Sequence, residues 1–211
     1  MSREEVFAAA PDRPPLRRSE LIDDPIAQIQ VWLEQAREVV DVPEAMALAT
    51  VDENGEPDAR MVLLRGVSED GLRFYTDYES TKGRQLDAHP SGALVVYWRA
   101  LNRQIRARGP IERASSDDSD AYFAGRPRAA RLAAWISPQS EPIASRAELE
   151  KRYAEQGTHF TGEDVPRPPF WGGYALRPET IEFFQSQRDR LHDRFLYTRQ
   201  GGAWNVERLT P

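Results

Sequence analysis

Ala45-Met46-Ala47-Leu48-Ala49-Thr50-Val51-Asp52-Glu53-Asn54-Gly55 is the stretch on which the fold class turns. Residues 45–51 read as a strand. Asp52-Glu53-Asn54-Gly55 reads as the turn that reverses it, because Asn-Gly supplies positive φ at little cost. The pattern then repeats. Asp58 to Val67 is a second strand, Glu69-Asp70-Gly71 a second turn and Leu72 to Thr76 a third strand. Further on, 93–99 and 103–112 read as a hairpin-like pair, and Thr180 to Phe184 and Phe195 to Thr198 as strands rich in β-branched and aromatic residues. Gly201-Gly202 marks the last hairpin turn.

Helices interrupt this β-rich chain. Asp24-Pro25 opens one, with Asp24 as N-cap and Pro25 in the first turn. Its apolar stripe is Ile26, Ile29, Trp32, Leu33, Ala36 and Val40. Ser80 begins a short helix through Ala88, and 116–124, 127–136 and 146–156 are also helical by pattern. Many short strands joined by tight turns, with helices between them, predict a mainly β (α+β) chain built on an antiparallel barrel. Residues 1–20, polar and Pro-rich, are expected to be a mobile arm, and 21–211 a single domain.

Composition narrows the function. The 211 residues are 40% hydrophobic and 29% charged, as in an ordinary soluble globule. No run is long and apolar enough to span a bilayer, and the N-terminus has no secretory pattern, so a cytoplasmic protein without a membrane partner is expected. The absence of cysteine excludes disulfides, thiolate nucleophiles and Cys-based metal sites. His89, His159 and His192 have no metal-ligand spacing, so no metal is expected. Arginine outnumbers lysine 26 to 2, yet the net charge is -6. That balance argues against a broad nucleic-acid surface but allows a focused anion pocket.

Arg190-Leu191-His192-Asp193-Arg194-Phe195 carries the sharpest chemical signal. As an extended strand it would place Arg190, His192 and Arg194 on one face. Such a face is either solvated or set against an anion. Arg60-Met61-Val62-Leu63-Leu64-Arg65 is an apolar strand with an arginine at each end, and the plain alternative is that both lie at strand ends in water. Phe74-Tyr75-Thr76 and Ser80-Thr81-Lys82 at a helix start could cradle a phosphate or merely cap the helix. Arg103-Gln104 adds an amide able to read a heterocycle edge, and Tyr122 with Arg126 and Arg128 makes a second basic cluster. There is no nucleophile elbow and no Gly-x-Gly-x-x-Gly after a strand. Scattered phosphate donors without an acid–base pair suit a cofactor that performs the chemistry while the protein positions it.

These segments occur in one order together with Gln139-Ser140, Trp171-Gly172-Gly173 and the ending Glu207-Arg208-Leu209-Thr210-Pro211. From about Leu16 to Pro211 the chain resembles the pyridoxamine 5′-phosphate oxidase family, and the Arg-Leu-His-Asp-Arg block is the most specific element. The resemblance implies a split β-barrel and a homodimer with FMN at the subunit interface. It implies oxidation of pyridoxine or pyridoxamine 5′-phosphate to pyridoxal 5′-phosphate, with O₂ as acceptor and hydrogen peroxide as product. By resemblance, Arg60, Met61, Val62, Leu63, Leu64, Tyr75, Thr76, Lys82, Gln104, Gln139, Ser140 and Arg194 hold FMN, with Phe184 in the place of a Trp near the flavin. Arg65, Tyr122 and Arg126 hold the substrate phosphate, and Arg190 and His192 are the catalytic residues facing the pyridine ring.

Five positions depart from the family pattern: Thr81 replaces an Arg, Phe184 a Trp, Arg65 a Lys, and Ala130-Arg131 a Ser-Gln pair. These departures leave two alternatives open. One is a related FMN oxidase of another reduced ring compound, of the phenazine-pathway type. The other is a non-catalytic flavin- or pyridoxal-phosphate-binding protein.

Overall fold

The computed structural model describes residues 14–136, 138–162 and 164–211. The expected helix start is present. In α1 (Pro25–Arg37) the Asp24 carboxylate accepts from the amides of Ile26 and Ala27, so two of the orphan N–H groups are satisfied. Its stripe of Ile26, Ile29, Trp32, Leu33 and Ala36 is buried, and Val40 packs at the margin.

Among the described residues, ten strands follow, with four helices set between them. In chain order they are β1 (Ala45–Val51), β2 (Pro57–Leu63), β3 (Gly66–Ser68), β4 (Gly71–Asp77), α2 (Thr81–Ala88), β5 (Ser91–Trp98) and β6 (Arg103–Arg113). Helices α3 (Ser116–Ala124), α4 (Arg128–Ala133) and α5 (Arg146–His159) precede β7 (Trp171–Leu176), β8 (Thr180–Gln185), β9 (Asp193–Gln200) and β10 (Ala203–Arg208). The strand order is β10-β9-β8-β6-β5-β1-β2, with β3, β4 and β7 joined to it through β6. Every pairing is antiparallel, and the sheet curls into a split barrel.

The long strand β6 makes the curl possible. Its first part pairs with β8, from Arg103 opposite Gln185 to Arg108 opposite Thr180, and its end pairs with β7 at 111–113. At the changeover, a Cβ on Gly109 would lie 2.1 Å from the carbonyl oxygen of Arg177, so only glycine admits the crossing chain. One face of the sheet closes over Met46, Leu48, Phe74, Leu94, Ile105, Phe183, Phe195 and Tyr197, all essentially inaccessible. Helix α1 caps this core through Trp32, whose ring meets Phe183 edge-on at 5.1 Å. Each such aromatic or aliphatic side chain contributes about 1.5–3 kcal/mol on burial.

Three local expectations need correction. The run 58–67 is not one strand: after Leu63 the Leu64 amide turns to the Glu44 carbonyl, and the Arg65 amide turns to Arg73. The chain leaves β1 and joins β4, because burying Leu64 in the core outweighs continuing the ladder. Helix 127–136 stops at Ala133, where Trp135 is drawn off to donate to the Pro166 carbonyl at 2.8 Å. Residues 16–20 are also not free: Leu16 is buried and its amide donates to Asp193 at 2.9 Å. Residues 1–13 of the expected arm lie outside the described residues. No helix among the described residues is long and apolar enough to cross a membrane.

Candidate active site

A cavity of about 380 Å³ opens between β2, β4 and the α3–α4 segment. Its walls come from five stretches far apart in sequence. Met61, Val62 and Leu63 form one side, and Tyr75, Thr76 and Lys82 the floor. Arg65, Tyr122, Arg126 and Ala130 stand opposite, and Gln139 and Trp171 close it.

Lys82 enters at the first turn of α2. Ser80 caps that helix by accepting from the Gly83 amide at 3.3 Å. The Lys82 ammonium is buried and donates to Thr76 Oγ1 at 3.1 Å, Ser80 Oγ at 3.1 Å and Gln139 Oε1 at 2.5 Å. All three acceptors are neutral. Burial, with the charge of Arg60, pushes its pKa down to about 8, against the partial opposition of Asp77 and Asp58. Ser140, at φ 76°, turns its hydroxyl to accept from the Thr81 amide at 3.3 Å, which brings the 139–140 turn beside the helix start.

The Trp171-Gly172-Gly173 motif has a packing reason. Tyr75 lies opposite Gly173 and Thr76 opposite Gly172 in the β4–β7 register. A Cβ on Gly173 would come within 2.8 Å of the Tyr75 ring, and one on Gly172 within 2.0 Å of the Tyr78 hydroxyl. With both absent, the Tyr75 and Tyr122 rings stack at 3.8 Å and 7°, and Trp171 lies near parallel to Tyr122 at 6.2 Å. The Arg126 guanidinium sits 4.6 Å over Trp171. Its Nη1 is buried without a partner among the described residues. Burial pushes the Arg126 pKa down, and the charge of Arg65 adds to this.

Arg65, Lys82 and Arg126 thus border one cavity with no carboxylate bonded to any of them among the described residues. Lys82 is buried and Arg126 half-buried, whereas Arg65 is exposed; cations withdrawn from water without a charge partner are costly, and an anion relieves the cost. An orphaned guanidinium nitrogen and an ammonium held by neutral oxygens form a donor set that fits phosphate groups.

The other predicted residues do not line this cavity. Arg60 is turned beneath β2, donating to Thr50 Oγ1 at 2.5 Å, Asp58 at 2.6 Å and Gln85 at 2.9 Å. Leu64 is in the core. Gln104, Phe184 and Arg194 lie in register across β6, β8 and β9, on the sheet face that α1 does not cover. Arg190 and His192 sit just before β9 and are not strand residues. Residues 188–190 form a tight turn in which Asp189 and Arg190 adopt φ 57° and 59°, so strand alternation does not put Arg190, His192 and Arg194 on one face. His192 is placed by its own bonds instead. Its Nδ1 accepts from the Gln187 amide at 3.1 Å, which in the neutral ring leaves the proton on Nε2, and its ring lies 5.1 Å from Phe184.

A family model described as pyridoxamine 5′-phosphate oxidase matches residues 33–160. A second, described as the pyridoxine 5′-phosphate oxidase C-terminal dimerisation region, matches residues 171–211. The chain belongs to the pyridoxamine 5′-phosphate oxidase family. A pyridoxine/pyridoxamine 5′-phosphate oxidase of Rubrobacter xylanophilus is 53% identical over 189 residues, 89% of this chain and 87% of that protein. Another, of Burkholderia ambifaria, is 49% identical over 203 residues, 94% of each. Among solved structures, PhzG from Burkholderia lata 383, in complex with tetrahydrophenazine-1-carboxylic acid, has a TM-score of 0.89 at 29% identity and covers 96% of this chain and 100% of that one. A pyridoxamine 5′-phosphate oxidase-related, FMN binding protein from Nostoc punctiforme has a TM-score of 0.72 at 24% identity over 90% of this chain and 100% of its own, which shows the shared fold.

Within this oxidase-family chain, one feature escaped the sequence reading: Trp171 is a wall of the cavity, though it read only as the start of a strand motif. Near Thr81, the Arg84 side chain donates to the Glu79 carbonyl and the Glu141 carboxylate and faces a different groove, with Asp87 and Arg113.

Proposed function

We propose that this protein is an FMN-dependent oxidase that converts pyridoxine or pyridoxamine 5′-phosphate to pyridoxal 5′-phosphate, working as a homodimer. The observation that carries the reading is the cluster of Arg65, Lys82 and Arg126 around one cavity, each without a carboxylate partner among the described residues. The reaction needs two phosphate monoesters, one on the cofactor and one on the substrate. The cavity has two groups of donors for them. Lys82, Thr76, Gln139 and Ser140 would hold the FMN phosphate, and Met61, Val62, Leu63 and Tyr75 would flank the rest of the cofactor. Arg65, Tyr122 and Arg126 would hold the substrate phosphate. The match of residues 171–211 to a dimerisation region supports the homodimer. So does the separation of Gln104, Phe184, Arg190, His192 and Arg194 from the cavity, because a second chain's face could complete it.

FMN, when bound, would supply the redox chemistry: a two-electron oxidation of the substrate carbon with O₂ as the final acceptor and hydrogen peroxide as product. The side chains bind and orient. Arg126, fixed over Trp171, offers an N–H that has already lost its water. His192, protonated on Nε2, would donate to the ring hydroxyl, and Arg190 would steady the pyridine ring beside it. Asp189 and Arg190 hold strained left-handed backbone, consistent with a turn shaped for a ligand.

The likeness to PhzG favours a second reading, oxidation of another reduced ring compound. Relatives near 50% identity named for pyridoxine and pyridoxamine phosphates weigh against it. The deciding experiment is the visible spectrum of the FMN-loaded protein under nitrogen. Pyridoxine 5′-phosphate should bleach the flavin band, and O₂ should restore it with release of pyridoxal 5′-phosphate. A band untouched by pyridoxine or pyridoxamine phosphate but bleached by a dihydrophenazine carboxylate would reverse the order of the two readings.

A further inference from the structure

The sheet face that carries Gln104, Phe184 and Arg194 also holds a buried carboxylate whose presence the strand pattern does not explain. Glu182 lies two residues from Phe184 on β8 and so on the same side of the sheet. It stands in register between Arg106 of β6 and Leu196 of β9, and it is only 3% exposed. Both of its oxygens are used. Oε2 accepts from Arg106 Nη2 at 2.5 Å, and Oε1 accepts from Arg194 Nε at 2.7 Å. Burial pushes the Glu182 carboxyl up, but the Arg194 hydrogen bond and the charges of Arg106 and Arg194 outweigh it and hold the group below the usual carboxylate range.

Arg194 has a second anchor. Its Nη1 donates to the Thr210 carbonyl at 3.0 Å, and the tail that carries this carbonyl is tied back by the Leu209 amide, which donates to the Arg194 carbonyl at 2.9 Å. The guanidinium is therefore gripped at Nε and at Nη1. Only Nη2 is left without a partner among the described residues. Two anchors on a rigid planar fork fix both its plane and its direction, which a single ion pair does not. Arg106 differs: it is half exposed and bonds through one nitrogen.

We infer that Glu182 is a positioning residue for the cofactor, which together with the Thr210 carbonyl locks Arg194 so that its remaining N–H pair faces the flavin. This rests on the function proposed above, since it takes Arg194 as a flavin ligand. The competing account is that Glu182 merely neutralises two arginines and supports the sheet.

The test is titration of FMN into the full-length apo-protein, followed by quenching of flavin fluorescence, for the parent, Glu182→Gln, Arg194→Ala and the double variant. Glu182→Gln keeps the shape and loses the charge. It should raise the Kd for FMN about tenfold in the parent background, which corresponds to roughly 1.4 kcal/mol. In the Arg194→Ala background the same change should shift Kd less than about twofold, because the group it acts through is gone. A Glu182→Gln protein that binds FMN like the parent overturns the inference. So does an equal loss in both backgrounds, since support of the sheet alone does not depend on Arg194. Should Glu182→Gln fail to fold, deletion of residues 209–211 removes the other anchor without touching the core. It should weaken FMN binding about threefold or more in the parent and not in Arg194→Ala, and unchanged binding overturns the inference. A parent that binds no FMN defeats the functional proposal itself, whereas a binding parent with insensitive variants defeats only the role of Glu182.

Discussion

Replacing Lys82 with methionine separates cofactor binding from stability. The ammonium is buried among three neutral oxygens, and its pKa lies at about 8 rather than 10.5, chiefly through burial. A depression of that size corresponds to roughly 3 kcal/mol of destabilisation while the group is charged. The sign follows from proton counts. Between about pH 8 and 10.5 the unfolded chain holds the proton more often than the folded one, so the stability of the apo-protein should rise with pH across that window. Below pH 8 the whole cost is present. Lys82→Met removes this cost and also the three hydrogen bonds, each worth about 1 kcal/mol. The two nearly cancel, so at pH 7 the variant should be as stable as the parent and should lose the rise above pH 8. FMN binding should behave differently. A phosphate dianion favours the charged lysine, and losing a charge-assisted hydrogen bond of roughly 1.5–3 kcal/mol raises Kd about 10- to 150-fold. In the parent, affinity should fall as pH rises above about 8. In the variant this dependence should vanish. Denaturant melts of the apo-protein and fluorescence titrations with FMN, both at pH 7 and pH 9.5, measure the two effects. A Lys82→Met protein that binds FMN as tightly as the parent at both pH values, or that is several kcal/mol less stable at pH 7, would refute the reasoning.

Arg126→Met should keep FMN bound and raise KM for the phosphorylated substrate roughly 10- to 100-fold, the cost of losing one charge-assisted hydrogen bond; steady-state peroxide release checks it, and an unchanged KM would remove Arg126 from the phosphate site. Gly173→Ala, whose new Cβ would come within 2.8 Å of the Tyr75 ring, should destabilise by about 1–3 kcal/mol and disturb the Tyr75–Tyr122 stack, visible as a loss of near-ultraviolet circular dichroism. Arg190→Ala should stay yellow with turnover lost, and His192→Ala should do the same more mildly, at about 1–3 kcal/mol in kcat/KM; full activity in Arg190→Ala would contradict its assignment. Asp193→Ala removes the acceptor of the Leu16 amide and of Arg208, so hydrogen exchange should quicken at Leu16 and along β10 before it does in the β5–β6 core.

Much of this protein is decided within a few residues of chain. The Asp24 and Ser80 caps, the Asn54-Gly55 turn with Gly55 at φ 87° and the stripe of α1 depend on neighbours no more than a few positions apart, and all stand as the sequence predicts them. The chemistry of the site is legible for a related reason. Lysine, arginine and hydroxyl side chains at strand ends and a helix start declare an anion whatever their final arrangement. Tertiary structure decided the rest. The strand over 58–67 breaks because Leu64 finds the core, and alternation at 190–194 fails because Asp189 and Arg190 take left-handed backbone that no local rule requires of them. Nothing in the strand read over Thr180 to Phe184 singles out Glu182; Arg106 and Arg194, 76 and 12 positions away, close on its two oxygens only in the folded sheet. The division of the predicted site residues into a cavity wall and a separate sheet face is likewise invisible in the sequence. Local energetics depend on short segments and can be read along the chain, whereas which charges meet depends on strand register, which only the folded sheet sets.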